Sequence, residues 1–114
     1  MSEAKGRATV LVVEDEEYVR ESLLELLRAR GFTARAAAGV PEALATLQRA
    51  PVDVVLTDLR MPGLSGLDLI KSLQASSPEV PVVVLTGHGN VAAAVECLKA
   101  GASDFILKPA DPRR

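Results

Sequence analysis

The chain has 114 residues, 48% of them hydrophobic and 3% aromatic, with a formal net charge of -2. That suffices for one aliphatic core and a single domain over 1–114; it excludes disordered and collagen-like classes and leaves no basic footprint for direct binding to nucleic-acid phosphates. One Cys cannot close an internal disulfide, no apolar run reaches membrane-spanning length, and the polar stretch Met1–Arg7 lacks a signal-peptide core, so a cytoplasmic protein with no membrane partner is expected.

In chain order, residues 1–7 read as a flexible N-terminus. "TVLVV" (Thr9–Val13) then predicts a strand buried on both faces, as in a parallel sheet. "EEYVRESLLELLRARG" predicts a helix with an apolar stripe of Val19, Leu23, Leu26 and Leu27, closed by Gly31. "FTARAA" (Phe32–Ala37) carries Arg35 at its middle and reads as an edge strand. "VPEALATLQRA" is a second helix, with Pro41 at its start and Pro51 after its end.

"VDVVLT" (Val52–Thr57) is the next buried strand, ending at Asp58 and the turn "RMPG". "SGLDLIKSLQASSP" predicts a helix capped by Ser65 and stopped before Pro78. "VPVVVLT" (Val80–Thr86) is the third buried strand, and "NVAAAVECLKAG" a helix with Asn90 as N-cap and Gly101 as terminator. The short "DFILK" (Asp104–Lys108) forms the other edge. In the final "KPADPRR", Asp111 and Pro112 announce a fifth helix, so residues 111–114 read as the start of a truncated one. Its loss is expected to uncover aliphatic surface on the first and fifth strands and to lower stability or promote self-association.

Strand and helix alternate five times through connections that suit parallel crossovers, which predicts a doubly wound α/β sheet. With the second strand at an edge the order is 2-1-3-4-5, and the ligand crevice lies at the carboxyl ends where the order reverses. Glu14, Asp15 and Asp58 meet there, with Thr86 and Lys108 at the neighbouring strand ends. Three carboxylates repel one another by several kcal/mol per pair, about 4 kcal/mol at roughly 4 Å and an effective dielectric near 20. Lys108 offsets one. A divalent cation bound through oxygen ligands, with room for waters and a phosphate, points to Mg2+, and the chemistry suggested is phosphoryl transfer onto a carboxylate.

The set "VVEDE", "LTDLRMPGLSGLDL", "VVVLTGHG" and "KAGASDFILKP" resembles the receiver domain of two-component response regulators, most closely those of enhancer-binding transcription activators. The resemblance implies a flavodoxin-like fold and a phosphoacceptor signalling module rather than an enzyme. It implies Asp58 as phosphoacceptor, Glu14 and Asp15 as the acidic pair, and the backbone carbonyl of Arg60 completing the metal shell. Thr86 becomes the switch hydroxyl, Phe105 the switch aromatic and Lys108 the phosphate-pairing lysine, with Lys108-Pro109 a cis peptide. Arg60 and His88 would tune the lifetime of the acyl phosphate. The implied partners are a sensor histidine kinase, an output domain or downstream protein, and a second copy in a homodimer.

Other readings compete. Asp58 as a plain turn carboxylate leaves the matching groups on the other strands unexplained. Glu14 and Asp15 as helix-capping carboxylates remain compatible with metal binding. Thr86 alone reads as a β-branched strand residue, Phe105 as a core aromatic, His88 as a loop imidazole, and Cys97 as a bystander thiol off the Val91, Val95, Leu98 stripe. A receiver-like interaction domain that is never phosphorylated is one alternative. A haloacid-dehalogenase-like phosphohydrolase is the other, but that family places a second aspartate where Arg60 stands.

Overall fold

The apolar runs become strands. The computed structural model describes residues 7–108, in which β1 (Thr9–Val13), β2 (Thr33–Ala37), β3 (Val54–Asp58), β4 (Val82–Thr86) and β5 (Asp104–Leu107) form one parallel sheet in the order β2-β1-β3-β4-β5. Helices α1 (Glu17–Ala29), α2 (Val40–Arg49), α3 (Gly66–Ser76) and α4 (Val91–Ala100) make the crossovers that parallel neighbours require, and a 3-10 turn at His88–Asn90 leads into α4. Residues 1–6, the Lys108-Pro109 peptide and the fifth-helix start at 111–114 lie outside the described residues.

β3 begins two residues later than its apolar run. Asp53 is occupied at the base of β1, its N–H donating to the Thr9 carbonyl at 2.9 Å and its carboxylate accepting the Thr9 N–H at 2.7 Å. Asp58 becomes the last residue of the strand itself, so its position is set by ladder geometry.

Alternation along the strands splits the core in two. Leu11, Val13, Val55, Val82 and Val84 pack with Ala43, Leu69, Ile70, Leu73 and Cys97 from α2, α3 and α4. On the other face α1 lays Leu24 over Val10, Val12 and Ala34. The uncovered aliphatic surface expected on β1 is therefore absent, because α1 buries that strand. On β5, Ile106 is 50% exposed.

α4 corrects a second expectation. Val91 and Val95 face solvent, whereas Ala94 and Cys97 are fully buried. Small side chains let α4 approach the sheet closely, so the buried stripe is the one of lesser volume, and Cys97 is a core residue whose thiol burial pushes to a higher pKa. In α1, Leu26 likewise points outward while Leu24, two residues earlier, takes the core position.

Candidate functional site

Glu14 and Asp15 follow β1, Asp58 ends β3, Thr86 ends β4 and Lys108 follows β5. Because β1 lies beside β3, oxygens of Glu14, Asp15 and Asp58 come within 4.8 Å of one another, with Glu14 and Asp58 buried and Asp15 exposed. Lys108 reaches in from the edge and places Nζ 3.1 Å from Asp58 Oδ1.

The loop after β1 is braced. Glu14 Oε2 accepts the Glu16 N–H at 3.0 Å at the start of α1, and the Arg20 guanidinium donates to the Glu14 carbonyl at 2.9 Å. Glu14 Oε1 is buried with no hydrogen-bond partner. Burial pushes the carboxyl up to about 7, the charge of Asp58 adds to the rise, and the Glu16 amide and the Lys108 ammonium oppose it.

The loop after β3 is positioned as tightly. The Leu59 N–H returns to Leu85 O, the Gly66 N–H donates to Leu59 O, and Thr57 Oγ1 donates to the Asp58 carbonyl at 2.9 Å. A Cβ on Gly66 would stand 2.7 Å from the Asp58 carbonyl oxygen, so only glycine lets α3 begin this close to the aspartate's own backbone. Ser65 caps α3 as its sequence predicts, in a reciprocal capping box with Asp68; the hydrogen bonds from Ser65 hold the Asp68 carboxyl below its ordinary pKa.

Thr86 is buried, and its hydroxyl donates to the carbonyls of Gly87 and Asn90 at 3.3 and 3.4 Å. Arg60 Nε donates to Asn90 Oδ1 at 3.0 Å. Phe105 is half-buried on β5 against the larger core cluster. His88 lies in the 3-10 turn, and its side chain is outside the described residues.

A buried carboxylate oxygen with no donor, beside two further carboxylates, is a costly arrangement that a cation relieves. The donors are all oxygens, and the described residues hold no clustered His and Cys, so the set fits Mg2+ and not zinc. The lysine, the threonine hydroxyl and the acidic pocket together suit the oxygens of a phosphoryl group held on Asp58.

Sequence reasoning identified Glu14, Asp15, Asp58, Thr86 and Lys108; the structure brings the three carboxylates and Lys108 together and places Thr86 at the neighbouring strand end. It missed Arg20, Thr57 and the side chain of Asn90. Arg20 and Thr57 act through backbone carbonyls, which leave no residue-type pattern in a sequence.

Residues 10–114 match the response regulator receiver domain. The chain belongs to that family. It is 43% identical over 106 residues to response regulator protein PilR of Pseudomonas aeruginosa, an alignment covering 93% of this chain and 24% of that protein. It is 45% identical over 101 residues to transcriptional regulatory protein FixJ of Rhizobium meliloti, covering 89% of this chain and 50% of FixJ. Among solved structures, NtrX from Brucella abortus superposes with a TM-score of 0.87 at 36% identity, over 95% of this chain and 25% of that one. FixJ-N superposes at 0.84 with 42% identity, over 93% and 85%. The chain thus spans about a quarter of the length of PilR and half that of FixJ. The phosphohydrolase reading is not favoured: Arg60, in place of a second aspartate, turns its side chain to Asn90. Among the described residues no helix is long and apolar enough to cross a membrane.

Proposed function

We propose that Asp58 of this receiver domain accepts a phosphoryl group from a sensor histidine kinase in the cytoplasm, and that the modification changes a surface read by an output domain or downstream protein. The observation that carries this reading is the placement of Asp58 at the end of a buried strand, 3.1 Å from Lys108 and within 4.8 Å of the Glu14 and Asp15 carboxylates.

In the step proposed, an Asp58 oxygen attacks the phosphorus of a phosphoimidazole. The P–N bond breaks, the imidazole leaves with its electron pair and takes up a proton, and an acyl phosphate forms. Glu14, Asp15, Asp58 and the backbone carbonyl of Arg60 would hold Mg2+, which supplies positive charge to the oxygens in transfer. Lys108 pairs with the same oxygens, and Thr86 donates its hydroxyl to one of them. Phe105, paired with Val84 of β4 and packed against the core, fills the space Thr86 vacates as it moves toward the phosphoryl group, while Arg60 and His88 govern how readily water reaches the acyl phosphate.

We assign output and homodimer contact to the exposed Val91 and Val95 of α4 and to Leu107 of β5; Ile106 projects to the other face of the sheet. The relatives named as transcriptional regulatory proteins favour an output domain acting on transcription, with no direct nucleic-acid contact by this chain.

The test is intact-mass analysis after acetyl phosphate treatment, with and without Mg2+, on the wild type and Asp58→Asn. One phosphate adduct that needs both Mg2+ and Asp58 is expected. No adduct on the wild type, together with no uptake of beryllium trifluoride, would leave a non-phosphorylated interaction domain instead.

A further inference from the structure

Two donors at the ends of neighbouring strands are tied to one residue. Arg60, in the loop after β3, donates from Nε to Asn90 Oδ1, and Thr86, at the end of β4, donates to the Asn90 carbonyl. Asn90 holds the N-cap position of α4, where a carboxamide oxygen ordinarily accepts an N–H of the first turn, yet it makes no such bond. Its side chain is spent on Arg60 instead.

We propose that Asn90 is a positioning residue that clasps the crevice in its resting state, and that a phosphoryl group on Asp58 opens the clasp by competing for both of its donors. The proposal rests on Asp58 being the phosphoacceptor. A hydroxyl has one proton, so Thr86 cannot donate to a phosphoryl oxygen while it serves the turn carbonyls. Its bonds of 3.3 and 3.4 Å are long for O–H···O contacts and exchange easily. The Arg60 guanidinium now donates to a neutral amide oxygen, and a phosphoryl oxygen offers it an anionic acceptor instead.

Release changes the start of α4. The Asn90 carboxamide, freed from Arg60, can cap the helix that begins at the next residue, so it exchanges one acceptor duty for another. The element has two arrangements with different partners, which is what a population shift requires. The occupancy of Asp58 thereby reaches the helix that carries the exposed Val91 and Val95.

The experiment titrates beryllium trifluoride, with Mg2+ present, into the wild type, Asn90→Ala and Asn90→Ser by calorimetry, with Mg2+ alone as a separate titration. Serine keeps the ability to cap α4 but is too short to serve Arg60, so the Ser variant tests the clasp with the helix start intact. The Arg60 Nε–H resonance is followed in the wild type by NMR. Expected are a roughly three- to tenfold tighter affinity for beryllium trifluoride in the Ser variant, an unchanged affinity for Mg2+ alone, and a shift of the Arg60 Nε–H signal when the wild type is loaded. Affinities within twofold of wild type in both variants, or an Arg60 signal that stays in place on loading, would overturn the clasp while leaving the phosphoacceptor reading intact. A wild type that takes up no beryllium trifluoride would overturn both.

Discussion

Lys108 Nζ lies 3.1 Å from Asp58 Oδ1, reaching across β4 from the far edge of the sheet. The ammonium neutralises part of the acidic pocket and so competes with any cation that enters it. Lys108→Ala is expected to bind Mg2+ roughly threefold to tenfold more tightly, a modest gain because the lysine is partly solvent-screened, and to give less acyl phosphate because a donor to its oxygens is gone. Calorimetric titration with Mg2+ checks the first part. An equal or weaker affinity would show that the ammonium does not oppose the cation.

Gly66 separates packing from conformation. In Gly66→Ala the new methyl would meet the Asp58 carbonyl oxygen at 2.7 Å and the Leu59 Cα at 3.3 Å, both backbone atoms that cannot swing aside. A stability loss of about 1–3 kcal/mol is expected, together with slowed phosphorylation by acetyl phosphate because Asp58 itself must shift. Gly31→Ala is the comparison: its φ of +93° is strained for alanine, but nothing lies within 4 Å of the added atom. It should cost about 1–2 kcal/mol and leave the labelling rate alone. Equal labelling rates in the two variants would refute the argument.

Glu14 should make the metal-free protein pH-sensitive. Its folded-state pKa of about 7 is raised from an ordinary 4.5, so the folded chain binds that proton more tightly than the unfolded chain does. The contribution is fully present below the ordinary value, declines as pH rises between the two, and is gone above about 7, a change of about 3 kcal/mol. Glu14→Gln removes the titration. In EDTA the variant should be more stable than wild type at pH 8, with the gap closing near pH 5, as urea denaturation at the two values would reveal. A gap independent of pH would assign the effect to packing.

The strands were legible because β1, β3 and β4 are buried on both faces, which forces continuous apolar runs, and the site was legible because those runs end in Glu14, Asp58 and Thr86. α4 was misread because hydrophobic size marks Val91 and Val95, whereas close packing against the sheet selects the small Ala94 and Cys97. Asn90 was correctly placed at a helix start, but its side chain bonds to Arg60, distant in the chain, a choice local propensity does not encode. β1 was expected to lose cover, and α1 supplies it through the buried Leu24 with the partly buried Leu23 and Leu27 beside it.

The crevice exists only where distant parts of the chain have met. Glu14 comes from the first strand, Asp58 from the middle of the sequence and Lys108 from beyond the last strand, and each is placed by a neighbour that must already be paired. Such non-local pairing forms late and cooperatively. A chain still emerging, or one with a strand unpaired, holds the aspartate but not its surroundings. The cluster is therefore complete only in the fully paired sheet.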